Sequence, residues 1–179
     1  VVSSSGKMQE LLSNTRLEYT MQELDNVVVN IGGIIGKLSS GTASNLIATN
    51  NLETVKVDGK STQVTTGEDT ILNIGGVIGL MTGGTLTRSG FNANATMYLS
   101  QNSSSNISMG GLVGRVQMTK SNEISNSFAS GKLNLYTSKN TQNNIIIGGF
   151  IGLINSYGNI QNSFSSNSIT CYDYDSTDY

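Results

Sequence analysis

The chain has 179 residues, of which only 12% are charged; the net charge is -2, with one cysteine, no histidine and no proline. That length supports one sizeable core, while the near-neutral charge without a basic cluster excludes a nucleic-acid surface, whose phosphates demand Lys and Arg. Absent histidine removes Ser-His-Asp and Cys-His triads and every histidine metal site, and the single Cys171 excludes an internal disulfide and a cysteine metal cage.

Disordered chains combine low hydrophobicity with high charge, whereas here Ile and Val recur in phase among Asn, Ser, Thr and Gly. The composition therefore reads as ordered β-structure with polar, uncharged outer faces. A chain without proline suits backbone that is hydrogen-bonded along most of its length, because proline removes a ladder donor. No apolar run approaches the roughly 20 residues needed to span a bilayer.

Residues 1–26 admit two readings. Met8, Leu11, Leu12, Leu17, Met21 and Leu24 are spaced roughly as on helix faces, which would make an amphipathic cap. Alternatively, Leu11-Leu12-Ser13-Asn14-Thr15-Arg16-Leu17-Glu18 aligns without gaps on Leu46-Ile47-Ala48-Thr49-Asn50-Asn51-Leu52-Glu53, as part of a preceding repeat. The second reading explains more positions at once.

From Val27 onward the chain repeats one phrase four times: Ile31-Gly32-Gly33-Ile34-Ile35-Gly36, Ile74-Gly75-Gly76-Val77-Ile78-Gly79, Met109-Gly110-Gly111-Leu112-Val113-Gly114 and Ile147-Gly148-Gly149-Phe150-Ile151-Gly152. The first glycines lie 43 (32 to 75), 35 (75 to 110) and 38 (110 to 148) residues apart. Such a period marks a repeat architecture in which neighbouring units share one core. The units run about 27–70, 71–105, 106–143 and 144–170, each reading as a strand, a small polar turn such as Ser39-Ser40-Gly41-Thr42, a second strand and a return. In the first unit, Asp58-Gly59 between alternating residues predicts a projecting hairpin. Residues 171–179 drop the pattern and read as an acidic capping or frayed tail.

Each repeat looks long enough for two coils, so roughly nine rungs at about 4.8 Å would give a rod on the order of 40 Å. Within the phrase, Ile35, Ile78, Val113 and Ile151 form one apolar column and Ile34, Val77, Leu112 and Phe150 another. Either the Gly-Gly step bends and turns both columns inward, or the second column faces outward as a lateral contact surface.

The glycine phrase, the small-residue turn and the segments Asn126-Ser127-Phe128-Ala129 and Asn162-Ser163-Phe164-Ser165 resemble the GLUG-motif repeats. Those repeats occur in large secreted and surface-anchored proteins, including immunoglobulin-A-cleaving proteases and adhesins of bacteria and surface proteins of some protists. The resemblance covers about residues 27–170 and implies a right-handed parallel β-helix outside the cell with no catalytic residue; residues 1–26 and the 55–70 insertion depart from it. The fold expected is thus all-β, a right-handed β-solenoid of about four 35–43-residue repeats.

The glycine phrase lacks the spacing and the following Lys-Ser/Thr of a phosphate-binding loop. A carbohydrate-active β-helix would need two converging carboxylates roughly 5–10 Å apart; Glu53, Asp58, Glu68, Asp69 and Glu123 are available, and none recurs at one stacked position. Asp173, Asp175 and Asp178 are close enough for calcium but lack the glycine and distal glutamate of an EF-hand loop. Sequons at Asn94, Asn102 and Asn106 suit glycosylation in a eukaryotic source. The resulting expectation is a non-catalytic spacer or adhesive segment without metal or cofactor, at the cell surface or secreted, whose partners are neighbouring repeats, other copies, glycans or surface proteins. The alternative is a subunit that stacks end to end through open strand edges, and a glycan-cleaving enzyme ranks behind both.

Overall fold

The computed structural model describes residues 6–19, 23–24, 26–54, 56–57, 60–61, 65–66, 70–98, 105–117, 123–137, 144–155 and 158–173. Every regular element among them is a β-strand, and the strands stack in parallel as a β-solenoid. Each coil from Val28 onward contributes to three sheets, while the level before it enters the third and pairs Glu23–Leu24 with Thr65–Thr66. The first holds Val28–Gly32, Thr70–Gly75, Ser105–Gly110 and Asn144–Gly148, and the second holds Ile35–Leu38, Ile78–Met81, Val113–Val116 and Ile151–Ile154. The third and longest stacks Lys7–Ser13 on Thr42–Ala48, then on Thr85–Thr87 and Gly90–Tyr98, and so on through Glu123–Ser125 and Phe128–Thr137 to Ser168–Asp173.

The register settles how much chain makes one coil. Ile31 lies opposite Ile74, Ile74 opposite Met109 and Met109 opposite Ile147. Those offsets, 43 (31 to 74), 35 (74 to 109) and 38 (109 to 147), are the intervals of the glycine phrase itself. One repeat is therefore one coil, not two. The expectation of nine rungs fails because the third sheet runs much longer than the other two and consumes the extra residues. Five levels in that sheet span four spacings, or about 19 Å at about 4.8 Å each.

The glycine phrase is the corner between the first two sheets. Strand pairing stops at Gly32 and resumes at Ile35, yet the coil-to-coil ladder continues round the bend. Gly33 N donates to Gly76 O (3.1 Å) and Ile35 N to Val77 O (2.9 Å); one coil on, Gly76 N donates to Gly111 O (3.1 Å) and Val77 N to Leu112 O (2.9 Å). A Cβ on the second glycine would collide with the carbonyl oxygen of the same glycine in the next coil, as Gly33 does with Gly76 and Gly76 with Gly111. The corner closes only without side chains there.

Because the chain bends at this step, the column proposed for lateral contacts points inward. Val77 and Leu112 are wholly buried, and Ile34 and Phe150 pack against the core cluster. They join Ile35, Ile78 and Val113, with Leu38, Met81, Leu86, Phe91 and Leu133 filling the rest. Burial of each such side chain contributes roughly 1.5–3 kcal/mol before entropy is subtracted. Where Ile31, Leu52, Ile74, Met97 and Met109 meet, the space left beside Glu53 and Thr96 is only about 10 Å3.

The third sheet has its own corner, at a column of left-handed residues. Glu10, Asn45, Arg88, Asn126 and Asn162 all have φ between 48° and 57°, a conformation that Asn tolerates better than most residues. Backbone pairing breaks there, and a serine repairs it. Ser127 Oγ accepts from Ser89 N (3.1 Å) and donates to Ser125 O (2.8 Å). Ser89 Oγ does the same for Leu46 N (3.2 Å) and Thr87 O (2.9 Å), and Ser163 Oγ for Ser127 N (3.1 Å) and Gln161 O (2.9 Å). The Asn-Ser-Phe segments are thus corner, bridge and stacking residue, since Phe128 and Phe164 stack at 5.9 Å.

At the N-terminal end, Lys7–Ser13 and Leu17–Tyr19 are strands that pair Leu11 with Leu46, Leu12 with Ile47 and Leu17 with Leu52, so this segment is not a helix. Antiparallel Lys56–Val57 and Lys60–Ser61 flank Asp58-Gly59, which lie outside the described residues. The repeat also runs further than expected: Ser168–Asp173 pairs with the preceding coil through Asp173, so Cys171 and Tyr172 belong to the solenoid rather than to a tail. Tyr98, Tyr136 and Tyr172 stack there with centroids 4.6 and 4.5 Å apart.

Candidate functional site

The bend at the glycine phrase folds the outer faces of the first two sheets toward each other and makes a concave corner. Its floor is backbone. A Cβ on Gly75 would lie 2.6 Å from Gly114 N, and one on Gly110 would lie 2.6 Å from Gly152 N, so the two strands touch where only glycine fits. Gly36, Gly79, Gly148 and Gly149 complete the set of repeat glycines at the same corner.

Along the first two coils this corner is filled. Asn73 and Leu80 are buried, and Asn73 Nδ2 donates to Asn30 Oδ1 at 2.8 Å. Over the last two coils it opens into a cleft of about 300 Å3. One wall carries Asn106 and Asn144, opposite each other in register, with Ser108 and Ile146 two residues further along the same face. The other wall carries Arg115 and Leu153, also in register, with Asn155 near the rim. Asn144 Nδ2 donates to Asn106 Oδ1 at 3.3 Å, which uses one donor and one lone pair of an amide pair that has more of both. Arg115 Nε is buried without a hydrogen-bond partner, and no carboxylate is among the described residues that line the cleft.

Of the carboxylates singled out from sequence, Glu53 and Glu123 stand on different strands and neither lines the cleft. Glu53 pairs with Arg16 (Oε2 to Nη2, 2.7 Å), and Glu123 accepts from Gln161 Nε2 at 3.2 Å. Asp58, Glu68, Asp69, Asp175 and Asp178 fall outside the described residues, and Asp173 ends the last strand. Among the described residues no group of three or more Cys, Asp or Glu side chains is placed to hold a metal ion, and Cys171 is an exposed free thiol. Asn94 is exposed on Gly90–Tyr98 and Asn106 is exposed at the cleft, while Asn102 is outside the described residues. Among the described residues no helix is long and apolar enough to cross a membrane.

Sequence reasoning missed the cleft and its arginine. The signal was weak: Lys37, Leu80, Arg115 and Leu153 occupy one register column, but only the bend brings that column against Asn106 and Asn144. Comparison with protein-family models, with curated proteins and with solved structures found no match to this chain.

Proposed function

We propose that the chain is a non-catalytic structural module of a secreted or cell-surface protein, a β-solenoid that spaces and displays polar surface. The observation that carries this reading is the continuity of its columns. Apolar side chains run from coil to coil inside, while uncharged ladders run outside, such as Asn134 Nδ2 donating to Thr96 Oγ1 (3.4 Å) and Ser130 Oγ to Asn92 Oδ1 (3.0 Å). The GLUG resemblance of residues 27–170 supports the same placement outside the cell. Antibody labelling of intact, unpermeabilised source cells and of their medium tests it; signal confined to permeabilised cells would reject it. Release of new reducing ends from polysaccharides by the purified chain would reject the non-catalytic part.

A second reading, end-to-end assembly, is favoured by the last coil. Ile154, Ile160, Phe164, Ile169 and Tyr172 are all exposed there, although they stand in register with Val116, Ile124, Phe128, Leu133 and Tyr136 of the coil before. That face carries apolar side chains, and its strand edges pair with no further strand among the described residues, which suits another coil. Negative-stain microscopy over a concentration series separates the readings: fibres that lengthen with concentration support assembly, and discrete short rods at every concentration reject it.

A further inference from the structure

We propose that the cleft over the last two coils is a binding site for an acidic sugar, with Arg115 receiving its carboxylate. The starting point is electrostatic. Arg115 is partly buried with its Nε enclosed and unbonded, and no carboxylate among the described residues lines the cleft, so its charge has no acidic partner there. A ligand carboxylate would supply that partner through two parallel N–H···O bonds, for which the guanidinium fork is suited.

The rest of the lining selects within the anions. Asn106, Asn144 and Ser108 offer amide and hydroxyl groups that both donate and accept, the complement of sugar hydroxyls rather than of an all-acceptor phosphate. Ile146 and Leu153 place one apolar side chain on each wall, against which the C–H faces of a ring can lie. The volume of about 300 Å3 lies at the small end of ligand pockets, which suits one residue rather than a long segment. The site also stands on rigid ground, since both walls are paired strands.

This inference deepens the display reading by naming what one face of the solenoid takes. Its failure leaves the spacer reading standing, because surface labelling tests that reading independently.

The test is calorimetric titration of the full chain, made in a host that does not glycosylate because Asn106 is a sequon, with glucuronate, glucose, acetate and inorganic phosphate. Glucuronate is expected to bind at least about tenfold more tightly than glucose, the worth of one charge-assisted bidentate contact. It should also bind more tightly than acetate or phosphate. Arg115→Met keeps the aliphatic stem and should lower glucuronate affinity to that of glucose. Asn144→Leu retains the guanidinium and should weaken glucuronate while leaving acetate unchanged, so one misfolded variant does not decide the matter. Methyl glucuronide distinguishes the sources: retained binding assigns chain ends of acidic glycans, and lost binding assigns the free acid. Equal affinity for glucose and glucuronate, equal affinity for phosphate and glucuronate, unchanged glucuronate affinity in Arg115→Met, or no binding of glucuronate each overturns the proposal.

Discussion

Gly76→Ala isolates the claim that the repeat exists to close a corner. The added Cβ would collide with Gly111 O of the next coil and with the Phe91 ring, which is wholly buried. Separating the coils to relieve the clash would stretch three bonds around the bend: Gly76 N to Gly111 O (3.1 Å), Val77 N to Leu112 O (2.9 Å) and Ile78 N to Leu112 O (3.1 Å). At about 1 kcal/mol net for each bond, the backbone part is about 3 kcal/mol. Overpacking against Phe91 adds about 1–3 kcal/mol, and the reduced entropy of the unfolded chain returns about 0.4–1. The expected loss is then about 3–5 kcal/mol, a large share of the 5–15 kcal/mol typical of a domain. With a urea m-value of about 2 kcal/mol/M, the midpoint should fall by about 2 M. Gly36→Ala is the internal control, because its nearest neighbour, Asn30 O, is 3.0 Å away and belongs to the first coil. A midpoint for Gly76→Ala within about 0.5 M of the parent, or equal effects of the two substitutions, would refute the close-approach argument.

Three further outcomes follow from the packing. Ser127→Ala leaves the buried Ser89 N–H without its acceptor, so urea unfolding should register a loss of about 1–3 kcal/mol, with Ser163→Ala at the exposed end costing less. Leu112→Ala should cost about 2–5 kcal/mol in the same assay, whereas an outward-facing residue would cost almost nothing and would instead alter association. Phe164→Glu replaces a side chain that is 62% exposed, so the unfolding midpoint should barely change while any concentration-dependent growth in sedimentation velocity is suppressed. An unchanged association profile in that variant would remove the last coil from any assembly interface.

The gapless match of residues 11–18 to 46–53 is a statement about columns, and the structure pairs those residues side by side. The phrase intervals are likewise the coil offsets, because in a solenoid with in-register stacking the sequence period and the spatial period are the same quantity. What a period cannot carry is the perimeter of the coil, which depends on how many residues each sheet spends between corners. That is why one repeat could be mistaken for two coils.

Alternation left the Ile34 column open between an inward bend and an outward face. Counting Ile34 and Ile35 onto opposite faces assumes an unbroken strand, and the turn at Gly33-Ile34 brings both columns to the core. The tyrosine stack was hidden for a different reason: Tyr98, Tyr136 and Tyr172 are spaced 38 (98 to 136) and 36 (136 to 172) residues apart, outside the apolar positions that announce the core. The sequence alone determined an all-β repeat chain, its repeat glycines and its in-phase columns, because each is a local or strictly periodic property. Tertiary structure decided the number of residues per coil, the direction of the Ile34 column and the cleft. Arg115 meets Asn106 and Asn144 only because backbone atoms touch at a glycine corner, a contact that leaves no trace in the residues of the cleft itself.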